Sequence, residues 1–398
     1  MFLSGMPTSI VRKKDNMLKV CFISHSFAKG GAELALLELI SALQTRGVKC
    51  HVILPWWGFL NRTLSNQRVP CAVVPYLWWM GKTRSVLPRI GRTILNLAMS
   101  IFVAARIRRW RCDIIYTNTI TVCVGATAAM LLRRPHVLHI HEFGRADQGL
   151  IFDFGENLSL RFMNRFSSAV IACSHAVAQT FQQRFDPGKL KTVYYSVKIP
   201  VTTSTEQSIA LTPNDVAIRC VVIANLQKGK GQEDAIRAIA ELVNAKIYAE
   251  LLLIGRATDS NYAKYLRRLT TDQNLEGYVK FIGYSENPFP FIQRADVVVS
   301  CSRNEAFGRA AIEAMRASKP VIGTRSAATL ELIRDGWNGL LYTPGNYAEL
   351  KEKIQRLCER PDLARHLGKN GQQWAAKQFT DQKYGEEVMK VLRGVTKQ

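Results

Sequence analysis

Two separated stretches of this chain carry the same short program: an apolar run, a glycine-bearing loop, then an amphipathic helix. The first is the run 18–24, followed by Lys29-Gly30-Gly31-Ala32-Glu33 and by Leu36, Leu37, Ile40 and Leu43 at helical spacing. The second is the run 217–224, followed by the basic glycine loop 227–231 and by Ile236, Ile239, Leu242 and Val243 along one side of a helix. A buried strand feeding a glycine turn and a helix opens a doubly wound, parallel α/β domain. Further apolar runs at 48–54, 71–74, 114–116, 136–139 and 169–172 extend the first unit. Runs at 251–255, 279–282, 297–301 and 321–324 extend the second. At 398 residues the chain is too long for one ordinary core, so two such domains are expected.

The expected division follows composition. Residues 1–17 lack any periodic pattern and read as a loose tail with no secretory leader. The first Rossmann-like domain is placed at 18–200 and the second at 209–375, with the polar stretch 202–208 as linker. A helical pattern closes the chain within 376–398. Doubly wound sheets bind ligands beyond their strand C-termini, so the ligand is expected between the domains.

Formal charge is +23, from 54 Lys+Arg against 31 Asp+Glu, which points to anionic partners. The stretch 82–111 contains Lys82, Arg84, Arg89, Arg92, Arg106, Arg108, Arg109 and Arg111 and no acid. Its middle, 94–105, is almost wholly apolar but shorter than the ~20 residues of a membrane span. The primary reading is a buried helix flanked by solvated charge. The alternative, supported by Trp56-Trp57 and Trp78-Trp79-Met80, is a surface that meets lipid. A specific nucleic-acid partner is not expected, because no binding module or aromatic-basic interleaving is present. Nine cysteines without a C-x-x-C pair fit a reducing compartment.

The segment Ser302-Arg303-Asn304-Glu305-Ala306-Phe307-Gly308-Arg309 runs into a helical pattern containing Glu313. With a helix starting near Phe307, the two carboxylates are at most about 12 Å apart along the axis. The unpaired N–H groups of such a helix start suit an anionic ligand. Lys228-Gly229-Lys230-Gly231 places cations after a strand, where a diphosphate leaving group needs them. His139 and His141 share a strand face while Glu142 points away, so a metal site is not expected there.

Together these segments resemble the retaining glycosyltransferases of family 4, which have the two-domain GT-B fold. The frame of the Glu305/Glu313 segment matches from Ala295-Asp296-Val297 through Lys319-Pro320-Val321, as an E-x7-E signature. The resemblance implies a nucleotide-sugar donor, a UDP-sugar or GDP-mannose, held mainly by the second domain, and no cofactor or metal. It implies that Glu305 contacts the donor sugar, that Glu313 contacts the ribose, and that the amides of Ala306, Phe307 and Gly308 complete the sugar pocket. Lys230 matches the phosphate-binding lysine and His141 the histidine that bonds the transferring sugar. Gly30 and Gly31 match the loop under the diphosphate. Asn225 stands where the family has an arginine, and Ser326-Ala327-Ala328 where it often has a glycine pair, ahead of Glu331. Alanines there restrict positive φ. The basic first domain points to a saccharide or lipid-linked acceptor at the inner face of the cytoplasmic membrane, in bacterial surface-polysaccharide synthesis. The departures at Asn225 and Ala327-Ala328 keep a non-catalytic scaffold or nucleotide-sugar sensor open as the other reading. A basic nucleic-acid-binding protein stands behind it.

Overall fold

The computed structural model describes residues 17–82, 85–144, 149–199 and 217–397. The tail up to residue 16, the linker 202–208, Arg84 and Arg145 lie outside the described residues.

Strand β1 (Lys19–Ile23) is buried from Val20 onward, with Val20, Cys21, Phe22 and Ile23 fully enclosed. Apolar side chains on both faces of a strand demand cover on both faces, and this is why the sheet is parallel and doubly wound. The first sheet contains β1, β2 (Lys49–Leu54), β3 (Cys71–Val73), β5 (Ile114–Thr117), β6 (His136–Ile140), β8 (Ala169–Ala172) and β9 (Leu190–Thr192). Its order is β3-β2-β1-β5-β6-β8-β9, all parallel. Between them, β4 (Met80–Gly81) and β7 (Ile151–Phe152) form a small antiparallel pair.

The second sheet contains β10 (Ile218–Ile223), β11 (Ala249–Ile254), β12 (Val279–Gly283), β13 (Val297–Ser300), β14 (Val321–Thr324) and β15 (Leu340–Tyr342). Its order is β12-β11-β10-β13-β14-β15, again all parallel. Each sheet reverses direction beside its first strand, between β1 and β5 and between β10 and β13. Those two switch points are where such sheets open a crevice.

The domains meet through aromatic packing. Phe307 lies 4.2 Å from Tyr195 and 5.9 Å from Phe379, and Tyr195 lies 5.9 Å from Tyr384. The last helix, Asp381–Thr396, packs on the first-domain helix Gly31–Gln44, and Arg46 donates to the Gln382 carbonyl at 2.7 Å.

The basic apolar stretch departs from its primary reading. It forms the helix Val86–Trp110, but most of its large apolar residues are exposed, and two of its five buried residues are polar. Asn96 and Ser100 face the domain with Val103, Ala104 and Ile107, while Leu87, Ile90, Ile94, Leu97, Ile101 and Phe102 face outward. Two arginines also turn inward. Arg92 pairs with Asp153, and Arg89 donates to the Asp153 carbonyl oxygen. Asp153 sits in the loop after β7, and this buried carboxylate sets the helix's rotation.

Candidate active site between the domains

The two switch points share one cleft of about 460 Å3. The first domain lines it with Lys29, Gly30, Gly31 and Leu34, from the turn after β1 into the helix Gly31–Gln44. The second domain lines it with Asn225, Lys230, Arg256, Glu305, Gly308, Arg309 and Glu313, among others.

Lys230 is placed by a tight turn. Gly231 has φ +65°, and a Cβ there would strike the Cys301 carbonyl oxygen, so only glycine lets the loop after β10 lie this close to β13. Lys230 Nζ then donates to Glu305 Oε2 at 2.9 Å. Burial works to raise the Glu305 carboxyl. The Lys230 charge and hydrogen bonds from Ser302 and Gly308 outweigh it and hold the group below the ordinary glutamate value. Glu305 is therefore ionised at neutral pH. The helix after it begins at Arg309 rather than near Phe307, with Gly308 as N-cap at φ +88°. A Cβ on Gly308 would lie 2.6 Å from Leu332 Cδ1.

One turn into that helix stands a charge cluster between the domains. Arg309 donates from both terminal nitrogens to Glu38 of the first domain, at 2.7 and 2.9 Å, and from Nε to Glu313 Oε1 at 2.9 Å. Burial alone would lower the guanidinium; the two carboxylates raise it above its usual value. For Glu313 burial prevails, and its carboxyl is raised despite Arg309.

His141 lies just past β6, against the interface. Its Nε2 meets Asn118 Oδ1 at 2.9 Å, and Asn118 Nδ2 donates to the Ala32 carbonyl, which fixes the amide orientation. Nε2 is therefore the protonated nitrogen, and Nδ1 accepts from the Tyr195 hydroxyl. Burial, then the neighbouring His139 and His25, push the ring well below the usual histidine value, so it is neutral. Glu142 holds the turn by accepting from Thr119 Oγ1, Ile120 N and His141 N. His139 and His141 do share a face, with ring centroids 4.2 Å apart. Among the described residues no cluster of three or more His, Cys, Asp or Glu is arranged to hold a metal.

The structure thus brings Gly30, Gly31, Asn225, Lys230, Glu305, Gly308 and Glu313 to one cleft, and sets His141 beside it through Tyr195 and Phe307. Three other expected residues do not line the cleft, and for Ala306 and Phe307 the following contacts involve groups other than the amides. The Phe307 side chain belongs to the interdomain aromatic cluster. The Ala306 carbonyl is met by Cys173 Sγ at 3.4 Å. Glu331 turns away from the cleft: it accepts from the amides of His175 and Ala176 at 2.9 and 2.7 Å and from the Tyr194 hydroxyl at 2.5 Å. The carboxylate crosses the domain interface to the free N–H groups that open the helix His175–Phe181. Ala327 adopts φ +43° although it is not glycine, and the next amide, Ala328 N, donates to the Glu305 carbonyl at 3.1 Å. The alanine pair therefore braces the Glu305 loop in the conformation that a glycine would take more easily.

Two cleft residues escaped the sequence reading. Arg256 follows β11, donates its amide to Asn225 Oδ1 at 3.3 Å and stacks its guanidinium 3.9 Å from the Tyr284 ring centroid. It restores a guanidinium beside the position where Asn225 lacks one. Arg309 lay within the quoted motif, but its partner Glu38 is 271 residues away and no spacing rule connects them.

Comparison with known proteins agrees with this geometry. Residues 204–374 match the model for glycosyl transferases group 1, and residues 29–199 that for Glycosyltransferase Family 4. The N-acetyl-alpha-D-glucosaminyl L-malate synthase of Bacillus anthracis is 26% identical over 89% of this chain and 91% of its own length. The lipopolysaccharide core biosynthesis glycosyltransferase LpsE of Rhizobium meliloti is 28% identical over 46% of this chain and 51% of its own. Among solved structures, Anabaena HepE in complex with UDP-glucose superimposes with a TM-score of 0.75 at 25% identity, over 95% of this chain and 100% of that one. With two parallel-sheet domains, two family models covering both, and a cleft at the paired switch points, this chain belongs to glycosyltransferase family 4 and has the GT-B fold.

Proposed function

We propose that the protein transfers a sugar, with retention of configuration, from a nucleoside diphosphate sugar to a saccharide acceptor carried on a lipid. The setting is surface-polysaccharide assembly at the inner face of the cytoplasmic membrane. The observation that carries this reading is the Lys230–Glu305 pair at 2.9 Å, facing Gly30 and Gly31 across the cleft. An ionised carboxylate for the sugar stands next to a cation for the departing diphosphate. The likeness to HepE, solved with UDP and with UDP-glucose, supports a nucleotide-sugar donor of the uridine class. The likeness to LpsE and to the Staphylococcus aureus capsular polysaccharide biosynthesis glycosyltransferase CapM supports the polysaccharide setting.

In this reading the second domain grips the donor. Glu305 accepts from sugar hydroxyls, Glu313 accepts from the ribose, and Lys230 and Arg256 neutralise charge as the diphosphate leaves. No protein nucleophile is required. The bond from the anomeric carbon to the phosphate oxygen breaks as the acceptor oxygen bonds to the same face, and the acceptor proton passes to the departing phosphate oxygen. His141 donates from Nε2 to the sugar once closure exchanges Asn118 for the ligand. The acceptor enters along a groove of about 730 Å3 on the first domain, lined by His25, Phe27, Trp56 and Trp78, aromatic rings that stack on sugar faces.

A thermal-shift titration against UDP, GDP, ADP and CMP tests the donor half. One diphosphate, UDP by the likeness above, raises Tm through mass action, and Lys230→Ala abolishes the shift. Glu305→Gln keeps the fold and lowers turnover by about a hundredfold or more. No shift with any nucleotide at millimolar concentration overturns the reading. Affinity without turnover on any acceptor would instead favour the sensor reading that Asn225 suggests.

A further inference from the structure

We infer that the outward face of the helix Val86–Trp110 docks the protein on an anionic bilayer, lying flat in the interface with its apolar stripe among the lipid chains. This rests on the membrane setting proposed above and names the surface and the lipid chemistry that serve it.

The helix is inside out for a water-facing element. It is 25 residues long, about 37 Å, and long and apolar enough to cross a membrane. It does not cross one here, since its other face packs on the helix Val124–Leu132 and buries Asn96, Ser100 and Val103. Leu87, Ile90, Ile94, Leu97, Ile101 and Phe102 share the outer side and are 49–81% exposed. Monomeric soluble proteins rarely leave so continuous an apolar strip in water. The strip runs on into an apolar groove of about 300 Å3 bounded by Leu97, Met130, Phe154 and Leu158, deep enough to take part of a hydrocarbon chain.

Charge selects the occupant. The parallel strands β5 and β6 directly follow the helices Val86–Trp110 and Val124–Leu132, so both helices end beside the N-terminal ends of the strands. Arg106, Arg108, Arg109 and Arg111 from one helix therefore stand at the same end of the domain as Arg133 and Arg134 after the other, all exposed. No acid occurs from Lys82 to Arg111. A second copy placed on this face by a two-fold axis would bring arginine and apolar side chains but no counter-charge from the helix. Anionic headgroups beside lipid chains supply both needs. The opposite end of the helix, at Leu87, lies toward the strand C-termini where the cleft opens, so a flat-lying helix sets the cleft at the bilayer surface.

The test is flotation of the full chain with vesicles of phosphatidylcholine alone and with about a third phosphatidylglycerol, at low and high salt. Wild type is expected to float with the anionic vesicles and to keep part of that binding at high salt, where purely electrostatic binding is lost. The Ile94→Asp/Ile101→Asp variant is expected to lose binding by about a hundredfold at both salt levels. Arg108→Ala/Arg109→Ala should lose binding mainly at low salt. Failure of wild type to float overturns the proposal. So does equal binding by Ile94→Asp/Ile101→Asp, which would assign binding to net charge alone. A wild-type dimer in light scattering that becomes monomeric in this variant, with no vesicle binding, would give the face to a second copy and also overturn it. The UDP thermal shift of the same variants, measured without vesicles, reports on the donor site. Loss of that shift in wild type defeats the transferase reading while flotation still decides the docking surface.

Discussion

Arg256 is the residue whose role follows most directly from position. Its amide bonds Asn225, and its guanidinium stands 3.9 Å from the Tyr284 ring centroid at the lip of the interdomain cleft. A planar, permanently charged group there supplies the charge that Asn225 lacks. Arg256→Ala is expected to weaken nucleoside diphosphate binding about tenfold and leave nucleoside binding nearly unchanged, read by calorimetric titration of UDP against uridine. Asn225→Arg in that background should restore part of the loss. At the same scale, His136 and His139 are enclosed in the first sheet. His136 bonds Thr117 and Ser167, and His139 bonds the Tyr116 hydroxyl. Burial pushes each down to about 3. Both stay neutral in the fold while the unfolded chain protonates them near 6.5. The stability they support is complete above about pH 6.5 and is lost as pH falls toward 3, at about 1.4 kcal/mol per pH unit for each histidine once the unfolded chain is fully protonated. The window from pH 6.5 to 5 lies above the ordinary carboxylate range, so urea unfolding there should show stability falling with pH, the slope steepening toward this limit for each buried histidine, His141 included. A flat profile over that window would mean that these imidazoles are solvated in the native state.

Among elements, legibility tracked burial symmetry. The strands β1, β10, β13 and β14 were readable because a strand covered on both faces must be an unbroken apolar run. The edge strands β9 and β15 escaped, since three residues such as Leu190, Lys191 and Thr192 carry no period. The Lys230 and Glu305 loops were legible as motifs because glycine positions there are geometric requirements, as the clash at Gly231 demonstrates. The helix Val86–Trp110 was visible as a helix but not in its rotation. Its apolar residues occur on several sides, and the buried Asp153 that draws Arg89 and Arg92 inward lies more than sixty positions from Arg89. Glu331 misled for a related reason, since its destination, the N–H groups of His175 and Ala176, belongs to the other domain. Ala327 shows the opposite error: side-chain identity argued against a positive φ that the loop adopts anyway. The left-handed conformation costs an alanine roughly 1–2 kcal/mol, and glycine's looser unfolded chain offsets about 0.4–1 of that. Ala327→Gly is therefore expected to stabilise the protein by about 0.5–1 kcal/mol in urea unfolding, and a loss of stability would mean that the alanine methyl makes compensating contacts.

For the molecule as a whole, the Glu38–Arg309–Glu313 cluster joins domain position to the proposed donor site. Arg309 grips Glu38 of the first domain with two hydrogen bonds and Glu313 of the cleft with a third, and all three groups are largely withdrawn from water. Breaking one partner of a buried pair is costly because the remaining charge keeps its desolvation penalty. Glu38→Gln preserves the shape and some hydrogen bonding but removes one of two counter-charges. Arg309 then draws harder on Glu313, and the domains lose an attraction that favours the closed arrangement. Both consequences act against the proposed ribose contact at Glu313. Glu38→Gln is expected to weaken UDP binding several-fold and to lower unfolding stability by about 1–3 kcal/mol, although Glu38 belongs to the domain opposite the predicted ribose contact. Small-angle scattering should show a more open average shape for the variant. If Glu38→Gln loses stability yet binds UDP as wild type does, the cluster is a structural strut between the domains and does not communicate with the nucleotide.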